Sequence, residues 1–306
     1  MVIATGYYFL FGHERLKAPS WNLQSNSITI EGIERTFDFY VPKNLAGVPS
    51  LIFLLHGSDG SSQLMRYLTN YEFEKQSEHR NNFIVVYPQG FEKYWNDCRK
   101  SASYIANTSN INEIEFFKKM IEFFSENYKI DKNKVFSVGY SNGGQMCYKL
   151  ALEIPELIKG IGVYSANLPV QANNDCNSGD LPVSTIIING TSDPINPFEG
   201  GLVVLEGDSS RGRVLSSINT FNYFKSLLPD TCKNQEIFQK EYSEMVFSKE
   251  IKCSYSGHCI ELVTVKEAGH TIPLTSIPPY LPSRIGKTEM SINSVEIILN
   301  FFEDIK

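Results

Sequence analysis

The strongest constraint on what this chain can fold into is the run Val135-Phe136-Ser137-Val138-Gly139-Tyr140-Ser141-Asn142-Gly143-Gly144-Gln145-Met146-Cys147-Tyr148. A β-branched, apolar segment leads into Gly-Tyr-Ser-Asn-Gly, and residues with helical spacing follow, so a G-x-S-x-G elbow joins a strand to a helix. Gly139 and Gly143 bracket a turn too tight for neighbouring side chains, which leaves Ser141 at its tip as a candidate nucleophile. The N-terminus of the following helix aims N–H groups and the positive end of its dipole at the same spot, where they favour negative charge on a substrate oxygen. The same five residues also fit a purely structural Gly-rich turn. An acid and a base at matching positions elsewhere would decide between the two.

Such positions can be found by following the chain in order. Ile28-Thr29-Ile30 and Thr36-Phe37-Asp38-Phe39-Tyr40-Val41-Pro42 alternate at period two around Gly32 and predict two antiparallel strands. Leu51 to Leu55 is continuously apolar, the pattern of a strand buried on both faces, and it ends in His56-Gly57-Ser58-Asp59-Gly60-Ser61-Ser62. A helix is expected from Gln63 to about Glu78, a buried strand over Phe83 to Tyr87, and an amphipathic helix from about Asn112 to Asn127 with Ile114, Phe117, Met120, Ile121 and Phe124 on one stripe. Strands over 160–165 and 183–188 follow, and the second delivers Asn189-Gly190-Thr191-Ser192-Asp193. A helix from about Val214 to Leu227, a polar segment, a last strand over Glu261 to Val265 ending in Glu267-Ala268-Gly269-His270, and a closing helix from Ser291 to about Phe302 complete the chain.

Strands alternating with helices predict an α/β fold: a mostly parallel central sheet with helices on both faces and antiparallel strands at its N-terminal side. At 306 residues and 42% hydrophobic, with no linker or repeat, residues 25–306 read as a single catalytic domain. Residues 1–24 form a separate N-terminal segment. Its apolar start, Met1 to Gly12, is shorter than a membrane span and lacks a basic region, so a remnant export signal or anchor and a segment packed on the domain both remain open. A net charge of −6 without a basic run argues against nucleic acid as a partner. No two histidines have metal-ligand spacing, and no metal is expected.

The strand ends supply the missing partners. Ser141, Asp193 and His270 occur in that chain order after successive strands, so His270 can take the serine proton while Asp193 fixes the imidazole tautomer. Asp180, Glu199 and Asp208 compete with Asp193, but only Asp193 closely follows a strand. Backbone N–H groups of Asn142 and Ser58 are the candidate oxyanion donors. His56 reads as a loop-ordering residue, and His13, His79 and His258 as solvated ones. Trp95 and Tyr94 either line a substrate pocket or anchor a loop.

The assembled motifs resemble the bacterial poly(3-hydroxybutyrate) depolymerase and feruloyl esterase family of α/β-hydrolases. The resemblance is carried by Leu55-His56-Gly57, Val86-Tyr87-Pro88 with Trp95-Asn96-Asp97, the elbow, Asn189 to Asp193 with Pro197-Phe198-Glu199-Gly200-Gly201, Gly269-His270, Pro279-Tyr280-Leu281-Pro282 and Phe301-Phe302. It implies a secreted or periplasmic serine esterase that needs no cofactor, with Ser141, Asp193 and His270 as its triad and Trp95, Tyr140 and Ile272 at the substrate. Two departures near the expected substrate mouth are Ile272 before Pro273, where relatives often carry Trp, and Gln89 in Tyr87-Pro88-Gln89-Gly90. The expected partner is a small or oligomeric ester, of the hydroxybutyrate or feruloyl type, rather than crystalline polymer. A silent binding scaffold and a serine peptidase on the same fold are the alternatives. The resemblance further implies a bond from Cys232 to Cys253 or Cys259, with Cys147 buried behind the elbow helix.

Overall fold

The continuously apolar runs become the parallel centre of a ten-stranded sheet in a computed structural model of the chain, which describes residues 23–177, 180–233, 235–253, 256–275 and 282–305. The strands, in chain order, are β1 (Gln24–Ile30), β2 (Ile33–Tyr40), β3 (Ser50–Leu55), β4 (Phe83–Pro88), β5 (Val135–Tyr140), β6 (Gly160–Tyr164), β7 (Ser184–Gly190), β8 (Gly201–Leu202), β9 (Arg213–Val214), β10 (Phe238–Ser243), β11 (Val246–Lys252) and β12 (Cys259–Val265). The large sheet runs β1-β2-β4-β3-β5-β6-β7-β12-β11-β10, and β8 pairs with β9 alone. Every neighbouring pair from β4 to β12 is parallel, while β1-β2-β4 and β12-β11-β10 are antiparallel. The two N-terminal strands therefore sit where the period-two pattern puts them, joined through Glu31 and Gly32, both at positive φ as a primed hairpin turn requires.

The two-residue pleat of β3 shows why its run is apolar throughout. Leu51, Phe53 and Leu55 enter one core with Trp95, Phe117, Met146 and Ile161, while Ile52 and Leu54 enter a second with Phe136, Val138, Ile298 and Phe302. The longer helices are α1 (Ser62–Leu68), α2 (Glu72–Arg80), α3 (Glu113–Tyr128), α4 (Asn142–Glu153), α5 (Ser217–Ser226) and α6 (Ser294–Glu303). α3 is capped by Asn112, whose side chain accepts from the Glu115 N–H at 3.1 Å, and buries Phe116, Phe117, Met120, Ile121 and Phe124. Ile114 is only half-buried, so the apolar stripe passes through Phe116 instead.

Several expected boundaries move for identifiable reasons. The single helix expected over 63–78 is two, α1 and α2, because Tyr71 adopts a left-handed conformation with its N–H returning to the Arg66 carbonyl. Val214 belongs to β9, and α5 starts at Ser217 under a Ser216 cap. The closing helix starts at Ser294, capped by Asn293, rather than at Ser291. The polar segment before the last strand contains the β10–β11 hairpin, whose outer strand is largely exposed and so carries no apolar alternation to read. Met1 to Gly12, His13 and Pro279-Tyr280-Leu281 lie outside the described residues. Among the described residues no helix is long and apolar enough to cross a membrane.

Two disulfides tie loops to the sheet. Cys232 pairs with Cys253, one of its two expected partners, and Cys98 pairs with Cys176 across 78 residues of sequence. Cys147 and Cys259 are free and buried, Cys147 on α4 as expected. The pairing fits an oxidising compartment. Alkylation of the denatured, unreduced protein is expected to label Cys147 and Cys259 alone. Replacing Cys98 and Cys176 together by alanine should lower unfolding stability by about 2–4 kcal/mol in denaturant titration. Labelling of all six cysteines would contradict both bonds.

Candidate active site

The elbow is built from backbone that nearly touches. A Cβ added at Gly139 would lie 2.1 Å from the Gly143 carbonyl oxygen, and one at Gly143 would lie 2.2 Å from that of Leu55, so neither position admits a side chain. Ser141 sits between them at φ 56° and ψ −115°, held by its N–H to the Tyr164 carbonyl at 2.9 Å and its carbonyl to the Gln145 N–H at 3.0 Å. A non-glycine residue in that conformation costs on the order of 1–3 kcal/mol, which the surrounding contacts must offset. Ser141 is half-buried and lines a cavity of about 200 Å³.

His270 reaches the same cavity from the end of β12. Its backbone N–H donates to the Ile285 carbonyl at 2.5 Å and its carbonyl accepts from the Tyr140 hydroxyl at 2.7 Å, so the residue is fixed at both ends. Its Nδ1 lies 2.8 Å from Asp193 Oδ2, and both side chains are almost fully buried. The other carboxylate oxygen of Asp193 accepts from the Ile195 and Asn196 N–H groups, each at 2.8 Å, which fixes the acid after β7. An Nδ1–H donated to Asp193 leaves Nε2 as the free lone pair of the ring. Asp180, Glu199 and Asp208, the rival acids, are exposed.

Ser58 also lines the cavity, while Asn142 is buried at the first position of α4. Among the described residues no group accepts from the backbone N–H of either one. The Asn142 side chain is fully engaged elsewhere: Nδ2 donates to Asp97 Oδ2 at 2.6 Å and Oδ1 accepts from the Trp95 N–H at 2.9 Å. Asp97 in turn pairs with Arg99 at 2.6 Å, both buried, and accepts from the hydroxyl of the half-buried Tyr104.

Of the three residues expected at the substrate, Tyr140 lines the cavity and two do not. Trp95 is wholly buried. Its Nε1 donates to the His56 carbonyl at 2.9 Å and its ring lies 5.0 Å from the imidazole, so the indole is used up as a loop anchor. Ile272 packs into the core with Leu274, Ile298 and Leu299. The cavity wall holds residues that sequence reading missed: Arg99, Arg211, Gln145, Asn196 and Ser165 beside Ile195, Val203 and Leu205. Gln145 alone had a signal, one helical turn after Ser141. His79 is exposed as expected, but His258 is half-buried at the foot of β12, where burial lowers its pKa.

No protein-family profile matches the chain. A protein of Nocardia uniformis subsp. tsuyamanensis named as an esterase is 20% identical over 94% of this chain and 85% of its own length. An acetylxylan esterase A of Talaromyces purpureogenus is 24% identical over 77% of the chain and 63% of its own length. An Aspergillus niger protein named as a feruloyl esterase C is 27% identical over 43% of each. The solved acetyl xylan esterase of Aspergillus awamori superposes with a TM-score of 0.58 at 15% identity, over 92% of this chain and 99% of that one. The chain has the α/β-hydrolase fold, and its relatives are named as esterases. The chain spans under two thirds of the length of the fungal sequence relatives and most of the Nocardia one.

His56 orders the loop after β3, as expected. Gly90 donates its N–H to Nε2 at 3.0 Å and Nδ1 lies 2.7 Å from the Gly57 carbonyl, which requires a neutral ring protonated at Nδ1. Burial pushes its pKa down to about 4; the Gly57 carbonyl works against that shift and the Arg35 charge adds to it. Because the unfolded chain binds a proton near pH 6.5 and the folded one does not until about 4, stability is full above that window and lost as pH falls through it. The loss should approach about 3 kcal/mol in total. Denaturant titrations at neutral pH and near the lower end of the window should show a smaller loss for His56→Gln than for wild type. Equal losses would mean that the imidazole is not held neutral.

Proposed function

We propose that the hydrolase cleaves carboxylic esters through an acyl-enzyme formed on Ser141. The observation that carries the reading is the buried Asp193–His270 pair at 2.8 Å facing the cavity that Ser141 lines. His270 Nε2 takes the Ser141 hydroxyl proton as Oγ attacks the ester carbonyl carbon, and then gives that proton to the departing alkoxide oxygen. Water deacylates the serine by the same route in reverse. Asp193 holds the Nδ1–H and stabilises the imidazolium, and the backbone N–H groups of Ser58 and Asn142 bind the tetrahedral oxyanion.

A cavity of about 200 Å³ suits a short acyl group or one aromatic acyl group, not a polymer segment. Acetyl esters, suggested by the acetylxylan esterases, and hydroxybutyrate oligomers or feruloyl-type esters, suggested by the motif resemblance, are the candidate substrates. Two disulfides support export to an oxidising compartment such as the periplasm or the exterior.

Turnover of p-nitrophenyl acetate, acetylated xylo-oligosaccharides, methyl ferulate and a hydroxybutyrate oligomer should rank the acyl groups. Ser141→Ala and Asp193→Asn are each expected to lower kcat by roughly a thousandfold or more with little change in KM. A wild type no faster than Ser141→Ala on every ester would favour a binding scaffold, and cleavage of anilides instead would favour a peptidase.

A further inference from the structure

The cavity beside Ser141 has a charge character that ester hydrolysis by itself does not call for. Its charged lining consists of two arginines, Arg99 and Arg211, beside His270, and no Asp or Glu lines it among the described residues. The two guanidinium carbons lie 5.9 Å and 6.0 Å from the centroid of one ring, that of Tyr104, so both cations border the same side chain. Like charges brought together in a largely buried site repel unless anions offset them.

The offset is unequal. Arg99 is spent: its Nε and Nη2 grip the wholly buried Asp97, and Nη2 also donates to the Tyr104 hydroxyl. Arg211 is not. Its guanidinium side chain is 10% exposed, and Nη1 donates to Asp208, whose carboxylate is 50% exposed and so shared with solvent. Among the described residues the Nε and Nη2 groups of Arg211 have no acceptor. The residue is held in place from outside the cavity, since its carbonyl accepts from Asn173 Nδ2 at 3.0 Å and its neighbour Ser210 donates to Asp208.

A second, independent feature marks the same wall. Gln145 and Asn196 both line the cavity and both are almost fully buried, yet among the described residues Gln145 Oε1 and Asn196 Nδ2 have no partner. Leaving such a buried group unanswered is costly unless an occupant relieves it. Ile195, Val203, Leu205 and Ile285 supply the apolar part of the lining. Asn196 Nδ2 is a donor that an anion can answer, whereas Gln145 Oε1 is an acceptor that needs a hydroxyl or water; a short hydrocarbon limb ending in an anionic group fits Arg211, Asn196 Nδ2 and the apolar lining.

We propose that Arg211 makes this cavity an anion subsite, so that the preferred substrate is an ester carrying a free carboxylate on one of its limbs. The inference rests on the ester-hydrolase reading above and narrows its substrate class. Arg211 supplies a planar fork that takes a carboxylate at two oxygens, a geometry Lys does not reproduce. Arg99, neutralised by Asp97, keeps the wall from presenting a competing carboxylate.

The test compares each acid with its neutral methyl ester in two pairs. Mono-p-nitrophenyl glutarate places the carboxylate on the acyl limb, and the 3-hydroxybutyrate dimer places it on the alcohol limb, with cleavage followed at the p-nitrophenyl or central ester. In at least one pair kcat/KM should favour the acid by about 10- to 100-fold, and the advantage should shrink between about 0.05 M and 0.5 M salt. Arg211→Gln should abolish the acid-to-ester ratio and Arg211→Lys should keep part of it. Because a ratio is read, a loss common to both substrates cancels. Should Arg211→Gln fail to fold, the wild-type ratio, its salt dependence and the Arg211→Lys ratio still decide. No preference for the acid in either pair, or a preference that survives Arg211→Gln, overturns the anion subsite while Ser141-dependent turnover leaves the esterase reading standing. Absence of Ser141-dependent turnover on all four compounds overturns both.

Discussion

Two backbones passing in direct contact, where β5 turns into α4, set the position of everything else at the site. The Gly143 α-carbon lies so close to the Leu55 carbonyl that even a methyl group is excluded, which fixes the start of α4 against the end of β3. The loop leaving β3 is thereby held beside the elbow: a Cβ on Gly57 would sit 3.3 Å from that of Ser141. Ser58 and Ser141 cannot drift apart while this contact holds. The strained dihedral angles of Ser141 follow from the same constraint, because the chain must reverse within one residue between two glycines that have no room to relax.

Around that contact the polar groups are arranged so that few remain free. Asp97 binds Arg99, Tyr104 and Asn142 together in a dry interior, where an unpaired charge would be costly and a satisfied network is stiff. Its effect on Asn142 is specific: with the amide spoken for at both ends, what α4 offers the cavity at that position is backbone N–H. His56 plays the same part for the opposite loop, bonded at both ring nitrogens and covered by Trp95. The Cys98–Cys176 bond ties the segment that carries Asp97 and Arg99 to the loop before β7. The cavity floor is thus rigid for reasons that lie a residue or two behind it.

What the sequence discloses and what it hides divide along physical lines. Buried parallel strands are legible because both faces need apolar residues, and strand ends are legible because Gly and polar residues must follow, which is how Ser141, Asp193 and His270 could be singled out before their geometry was seen. The β10–β11 hairpin is hidden because an exposed edge strand needs no apolar face. Trp95 and Ile272 misled for the opposite reason: large apolar side chains near a motif are as useful for anchoring loops as for touching a substrate, and composition does not separate the two. Arg99 and Arg211 were illegible since each enters the wall from an irregular segment with no period to follow, and only the fold brings them onto one tyrosine ring.

The same division separates reaction type from substrate. Ser141, Asp193 and His270 stand on strand ends whose spacing the sheet dictates, so any chain with this sheet and elbow inherits their placement. The wall opposite is made by residues 195–212, a stretch that holds only the two-residue strand β8 and tight turns, and no hydrogen-bonded ladder of the large sheet constrains it. Val203, Leu205 and Arg211 can therefore change without disturbing the Asp193–His270 pair, and a shared esterase name carries chemistry further than it carries specificity. Apolar contact alone discriminates weakly between short acyl groups, since each methylene is worth only about 0.8 kcal/mol. A half-paired guanidinium discriminates strongly, because a neutral limb in its place leaves the charge desolvated and unanswered. In this hydrolase the residue that selects the substrate is then expected to be the one that the fold holds least tightly to the sheet.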